Sequence, residues 1–375
     1  MIRKIRLSNF KCFENLDLNC APLTLLCGLN GMGKSSVIQA LLLLRQSFES
    51  EDLLDGRLVL GGELADLGTG RDVLFEGAEN DVVGFEIESD ETNSPWKLSF
   101  GYSQTSDQLT VEGCDSNLYF PLVPPDWQNV RPFGQNLLYI DAERVGPQKS
   151  YPLSETMAQR AEFGLGSEYA LNYLNMKKDE LLAEDDLRCV ESHSRRMIDV
   201  VDEWLQEISP GAHLQLETVR AADALIAGFS FDRPGDVASR RFRATNVGFG
   251  LSYTLPVIIA LLSDSGTLCL IENPEAHLHP RGQTKLAELA VRASLSDVQV
   301  IVETHSDHFM DGVRIAVRDG LISPDKTAIH YFERPEGETV VTSPQIDEDG
   351  RLSTWPAGFF DQHEENLEKL LAPKY

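Results

Sequence analysis

Basic residues are scarce in this chain. Lys and Arg number 33 against 59 Asp and Glu, a formal net charge of −26, and so acidic a protein repels a nucleic-acid duplex unless a local basic groove overrides the global field. Non-specific coating of DNA is therefore disfavoured. Cysteine is sparse as well: the six, at positions 12, 20, 27, 114, 189 and 269, include no C-x-x-C pair, and several lie inside apolar runs. That is how buried free thiols look in a reducing compartment. No apolar run approaches bilayer length, the longest being Leu255 to Leu262, and the opening MIRKIRLSNFKCF has no apolar stretch of signal-peptide length. The expectation is a cytoplasmic protein with no membrane partner. Internal repeats and low-complexity tracts are absent too.

Glycine, in contrast, is concentrated where it has a chemical meaning. The stretch Thr24-Leu-Leu-Cys-Gly-Leu-Asn-Gly-Met-Gly-Lys-Ser-Ser36 completes the pattern G-x-x-x-x-G-K-S from Gly28 to Ser35. Backbone N–H groups around Asn30, Gly31 and Gly33 can turn toward phosphate oxygens, Lys34 supplies a point charge, and the Ser35 hydroxyl, with Ser36 beside it, suits Mg²⁺. A strand over Leu23 to Cys27 and a helix over Ser35 to Phe48 are predicted on either side. The ligand expected of such a loop is a nucleoside triphosphate.

Around this loop the pattern divides the chain. Residues 1–150 hold the P-loop and, over 58–112, short apolar runs broken by Gly, Asn, Ser and Asp, which predict an antiparallel β lobe; Pro121 to Pro132 reads as a connector. Residues 151–210 read as a mainly helical insertion, with Met197, Val200, Val201, Trp204, Leu205 and Ile208 at helical spacing and no sustained heptads. From 211 to 335 strands and helices alternate, which predicts a parallel sheet. Residues 336–375 form a last segment. The basic cluster Ser239-Arg-Arg-Phe-Arg243 reads as a solvated strand face or a phosphate contact, and Asp347-Glu-Asp349 as a solvated turn.

A P-loop needs a carboxylate at the end of a neighbouring strand, and Leu268 to Ile271 runs into Glu272. A third apolar strand, Val298 to Val302, runs into Glu303-Thr304-His305-Ser306 and places His305 at a strand end where a γ-phosphate could sit.

The order of Asn9-Phe-Lys11, Gly28 to Ser35, Asn246-Val-Gly-Phe-Gly-Leu-Ser252, Ile271-Glu-Asn-Pro-Glu275 with His277 and His279, and Glu303-Thr-His305 resembles the ABC-type ATPase heads of the RecF, SMC and OLD group. Within that group the chain is most similar to short AAA-family ATPases ending in a DUF3696 segment, which Tyr139 to Pro147, Asp311 to Val317 and Trp355 to Phe360 also match. The fold implied is α/β, a P-loop head with an antiparallel β lobe and a mainly helical insertion. The resemblance implies a homodimer with ATP sandwiched between two heads. Lys34 and Ser35 would bind phosphate and Mg²⁺, Glu272 would stand at the metal, and His305 would sense the γ-phosphate. Lys11 would lie near the nucleotide, and Asn246, Gly248, Gly250 and Ser252 would form the signature segment that completes the partner's site.

The usual Leu-Ser-Gly-Gly opening of that segment is missing, and Asn273 stands where a glutamate normally polarises the attacking water. An amide does not accept a proton as a carboxylate does, so either Glu275 acts as base or turnover is slow. The glutamine that links such heads to their insertions is not identifiable, and Gly68-Thr-Gly-Arg-Asp72 has no assigned role. The leading expectation is a dimeric switch ATPase that regulates a nuclease or toxin-like partner in antiphage defence. The alternatives are a self-contained OLD-type nuclease, which would need a metal-binding carboxylate cluster in the 70 residues after His305, and a RecF- or SMC-like DNA-repair head.

Overall fold

The structure, a computed structural model, describes residues 1–112, 122–134, 136–160, 162–164, 166–189, 194–233, 239–356, 358–360 and 362–372. Cys114 and Pro121 lie outside them, as do parts of the predicted insertion. Among the described residues the architecture is α/β, in three sheets and two hydrophobic cores.

The central sheet carries the functional strands. Its order runs Val340–Thr342, Thr327–Glu333, Leu23–Gly28, Gln299–Thr304, Leu268–Glu272, Leu137–Ile140, and all neighbours are parallel except the first pair. Parallel strands covered on both faces must be apolar throughout. Accordingly, every residue of Leu23–Gly28, Leu268–Glu272 and Gln299–Thr304 is buried, so the polar residues at their C-terminal ends stand out.

The predicted β lobe is a six-stranded antiparallel sheet, and the structure adds to it: Ile2–Phe10 and Phe13–Asn19, expected to lead into the P-loop strand, are two of its strands, with Ile5 opposite Ile87. Helix Lys34–Glu49 buries Val37, Ile38, Leu41, Leu42 and Leu44 in the core beneath this lobe.

The segment read as a mainly helical insertion packs against the head. Helices Ala170–Lys177 and Met197–Ile208 bury Leu171, Leu174, Val200, Trp204 and Leu205 in one core with helices Phe249–Leu261 and Pro280–Leu295. Tyr151–Pro152 joins the hairpin Ala212–Val219 and Ala224–Phe231 in a small third sheet. In the last segment Phe359 is fully buried against Tyr331, with ring centroids 4.8 Å apart, and Trp355 packs on Phe359. Asp347 caps a tight turn by accepting the N–H groups of Asp349 and Arg351. Among the described residues no helix is long and apolar enough to cross a membrane.

Candidate functional site

Backbone packing explains the glycines of the loop. Gly28 has φ +138° and a Cβ there would collide with the Phe332 carbonyl, while Gly33, at φ +104°, sits 2.5 Å from Cys12 Sγ by the same measure. Gly33 is the N-cap of helix Lys34–Glu49, whose first turn has no acidic residue and no side-chain cap. Its N–H groups and the positive end of its dipole are left to an anion. Asn30 and Gly31 are exposed at the tip, Ser35 is half-buried and Ser36 buried.

Lys34 is 2% exposed, which sequence reading does not reveal. Its Nζ donates to the Leu29 carbonyl at 2.7 Å and lies 3.6 Å from Glu303 Oε1. Burial lowers its pKa, and the charge of Glu303 opposes that shift.

One wall of the loop belongs to the β lobe. Lys11 Nζ donates to Gln39 Oε1 at 2.6 Å and its backbone N–H to Val73 at 2.7 Å. Thr69 and Asp72 form a capping box on the short helix that carries the unassigned Gly68–Asp72 motif. Lys11, Gln39 and Asp72, with Gly31, Gly33 and Ser35, line a cleft of about 740 Å³, within the usual range for small-molecule sites. Gln39 is thus a cleft-lining residue that sequence reading missed.

The acidic turn lies across the sheet ends. Glu272 and Glu303 are register neighbours on parallel strands, and the Tyr139 hydroxyl donates to Glu272 Oε1 at 3.1 Å. Burial, then Glu303 and Asp141, push the Glu272 carboxyl up to about 7. Arg144, almost fully buried, donates Nη1 to the carbonyls of Asp141 and Glu272 and Nη2 to that of Asn273. Its guanidinium falls to about 10 through burial and stays charged at neutral pH. Asn273, at φ +45°, occupies a left-handed turn that asparagine tolerates better than most residues. Glu275 Oε1 accepts the His305 N–H at 2.7 Å, and Oε2 accepts the Thr304 hydroxyl at 2.9 Å. The His305 ring, at the exposed end of its strand, is held below its ordinary pKa by partial desolvation and then by the charge of Lys34.

A P-loop strand flanked by a histidine-ended strand, which is flanked in turn by an acid-ended one, is the frame of a nucleotide-hydrolysing head. The family model described as "AAA domain, putative AbiEii toxin, Type IV TA system" matches residues 23–311. The chain belongs to this AAA-domain family. A second model, "Protein of unknown function (DUF3696)", matches residues 322–370. The chain is also 24% identical over 347 residues to an OLD nuclease of Thermus scotoductus, covering 83% of this chain and 60% of that protein. It therefore spans less than two thirds of that relative's length. Among solved structures, an SMC head bound to the C-winged helix domain of ScpA superposes with TM-score 0.55 at 16% identity, covering 92% of this chain and 98% of that one. The Pyrococcus furiosus SMC head with an extended coiled coil gives 0.53 at 16% identity over 99% of both chains. The fold is that of an ABC-type ATPase head, and the protein is an ATPase of this AAA/ABC type, related to OLD nuclease.

On this AAA head the segment expected to act as the signature is only partly presented. Asn246 and Gly248 are exposed, and nothing lies within 4 Å of a Cβ built on Gly248. Gly250 instead packs on the turn after the acidic strand, 2.7 Å from its Cβ position to the His277 carbonyl, and Ser252 is buried. These two face inward, because helix Phe249–Leu261 begins there and buries one side at once. Phe249, which sequence reading passed over, is 58% exposed beside His277 and Tyr253. The Arg144 guanidinium lies 5.8 Å from the Tyr253 ring centroid, so one side chain touches both the acidic turn and the signature helix. The basic cluster is partly committed: Arg241 pairs with Glu217 and donates to the Ile226 carbonyl.

Proposed function

We propose that this ATPase head is an ATP-driven dimeric switch that regulates a nuclease or toxin-like partner in bacterial antiphage defence. The observation that carries the reading is the pairing of an uncapped P-loop helix with a signature turn whose Asn246, Gly248 and Phe249 face solvent. One surface is ready for a triphosphate, and the other is free to meet the nucleotide of a second copy. The toxin and nuclease relationships of the family support the output.

In this reading Lys34 and the backbone of Asn30, Gly31 and Gly33 hold the phosphates, while Lys11 and Gln39 stand at the wall of the cleft. Ser35 and Glu272 would hold Mg²⁺: a hydroxyl and a buried carboxylate are the oxygen donors that this ion takes. Bound there, the ion would shield phosphate charge. His305 can donate to a γ-phosphate oxygen in either protonation state.

Titration calorimetry with ATP and Mg²⁺, followed by sedimentation with and without nucleotide, tests the reading. Wild type should bind ATP and associate, and Lys34→Ala should lose both. ATP binding without association would leave an ATPase but remove the switch. Intrinsic cutting of DNA by the purified chain would instead favour the self-contained OLD-type nuclease.

A further inference from the structure

Glu303 is an acid where the fold has no need of one. It is the fifth residue of a wholly buried strand, 5% exposed, and a buried carboxylate costs free energy that an apolar residue of similar size would not. Its Oε1 lies 3.6 Å from Lys34 Nζ, and its Oε2 is buried with no hydrogen-bond partner among the described residues. The strand lies between the P-loop strand and the acidic strand, and His305 follows two residues on.

Other candidates for the missing base are weaker. Asn273 carries an amide, and both oxygens of Glu275 already accept hydrogen bonds from the residues that end the histidine strand. We propose, building on the ATPase reading above, that Glu303 is the catalytic carboxylate for ATP hydrolysis. A water oxygen forms its bond to the γ-phosphorus while the bond from that phosphorus to the β,γ-bridging oxygen breaks. The bond's electron pair leaves on ADP, and the water's proton passes to Glu303 Oε2. Lys34 makes the arrangement conditional: without nucleotide its ammonium is held beside Glu303, and a triphosphate that draws Nζ away leaves the carboxylate to the water. The base is exposed only when there is something to hydrolyse.

Glu303→Gln and Glu303→Asp test this, with ATP affinity by calorimetry, single-turnover hydrolysis and thermal melting measured on each full chain. Glu303→Gln should bind ATP as tightly as wild type or several-fold tighter, since a negative charge facing the phosphates is gone. Its hydrolysis should fall about a hundredfold or more. Glu303→Asp, which keeps the charge beside Lys34 but withdraws the oxygen, should bind normally and hydrolyse at an intermediate rate. Hydrolysis by Glu303→Gln within about threefold of wild type would overturn the proposal. So would loss of ATP binding in folded Glu303→Asp, which would make Glu303 a structural partner of Lys34. If Glu303→Gln fails to fold, the rate of Glu303→Asp decides: an unchanged rate overturns the proposal, and a reduced rate with intact binding supports it. Wild type that binds no ATP would take down the ATPase reading itself, a result distinct from all of these.

Discussion

Glu275 and His305 are joined side chain to backbone: Glu275 Oε1 accepts the His305 N–H at 2.7 Å, while Oε2 takes the Thr304 hydroxyl. The acidic turn and the end of the histidine strand therefore move as one piece. Burial raises the Glu275 pKa, and these two donors oppose that shift.

Glutamine at 275 keeps the shape and can rebuild both bonds, accepting from His305 and donating to Thr304. Glu275→Gln should therefore cost at least tenfold less hydrolysis than Glu303→Gln. Glu275→Ala leaves the buried Thr304 hydroxyl without this acceptor, at about 1–3 kcal/mol, while the exposed His305 N–H can turn to water, and should lower the melting temperature by a few degrees. A larger rate loss for Glu275→Gln than for Glu303→Gln would return the base to Glu275.

The glycines at 248 and 250 separate association from folding. Gly248→Arg adds a side chain into open space on the signature turn, so it should leave melting and ATP binding unchanged and block ATP-dependent association. Gly250→Arg drives a Cβ into the His277 carbonyl and should destabilise the chain before any effect on association is reached. Sedimentation and melting of the two variants check this.

Asn273 sits at φ +45°. Asn273→Gly should be tolerated in melting experiments, whereas Asn273→Ala should cost about 1 kcal/mol, the usual penalty for a Cβ in the left-handed region. Asn273→Glu carries the same strain, so a carboxylate there raises hydrolysis only if the turn survives.

His213 sits between two acids, Nδ1 at 2.9 Å from Asp202 and Nε2 at 3.0 Å from Asp232, and its pKa is raised, chiefly by Asp202. A folded pKa above the unfolded value gives stability that is complete below about pH 6.5 and is lost as pH rises through the folded value. The melting temperature should therefore fall between about pH 6 and pH 8 by more in wild type than in His213→Gln.

The strand, loop and helix around Lys34 were legible because glycine spacing and apolar runs encode them locally, and the parallel sheet because strands and helices alternate. Placement between distant segments was less so. The stripe Met197, Val200, Val201, Trp204, Leu205 and Ile208 reads as a buried face, yet nothing in its spacing says that the face is buried with helices Phe249–Leu261 and Pro280–Leu295 rather than in a separate insertion. The Gly68–Asp72 motif was visible without a role, because its position on the cleft wall depends on the N–H of Lys11 reaching Val73 across the lobe. Glu303 stood in plain view before His305, but its burial against Lys34 exists only once two strands are in register.

The pairing of Leu23–Gly28 with Gln299–Thr304 on one side and Thr327–Glu333 on the other has a consequence for synthesis. The loop strand leaves the ribosome early and has no partner until about three hundred residues later. Closing such distant contacts is slow, and through that interval an apolar strand edge is free to find the wrong neighbour. Chains stopped before Gln299 should therefore aggregate, and full-length yield should respond to chaperone supply more than to the stability of the finished head.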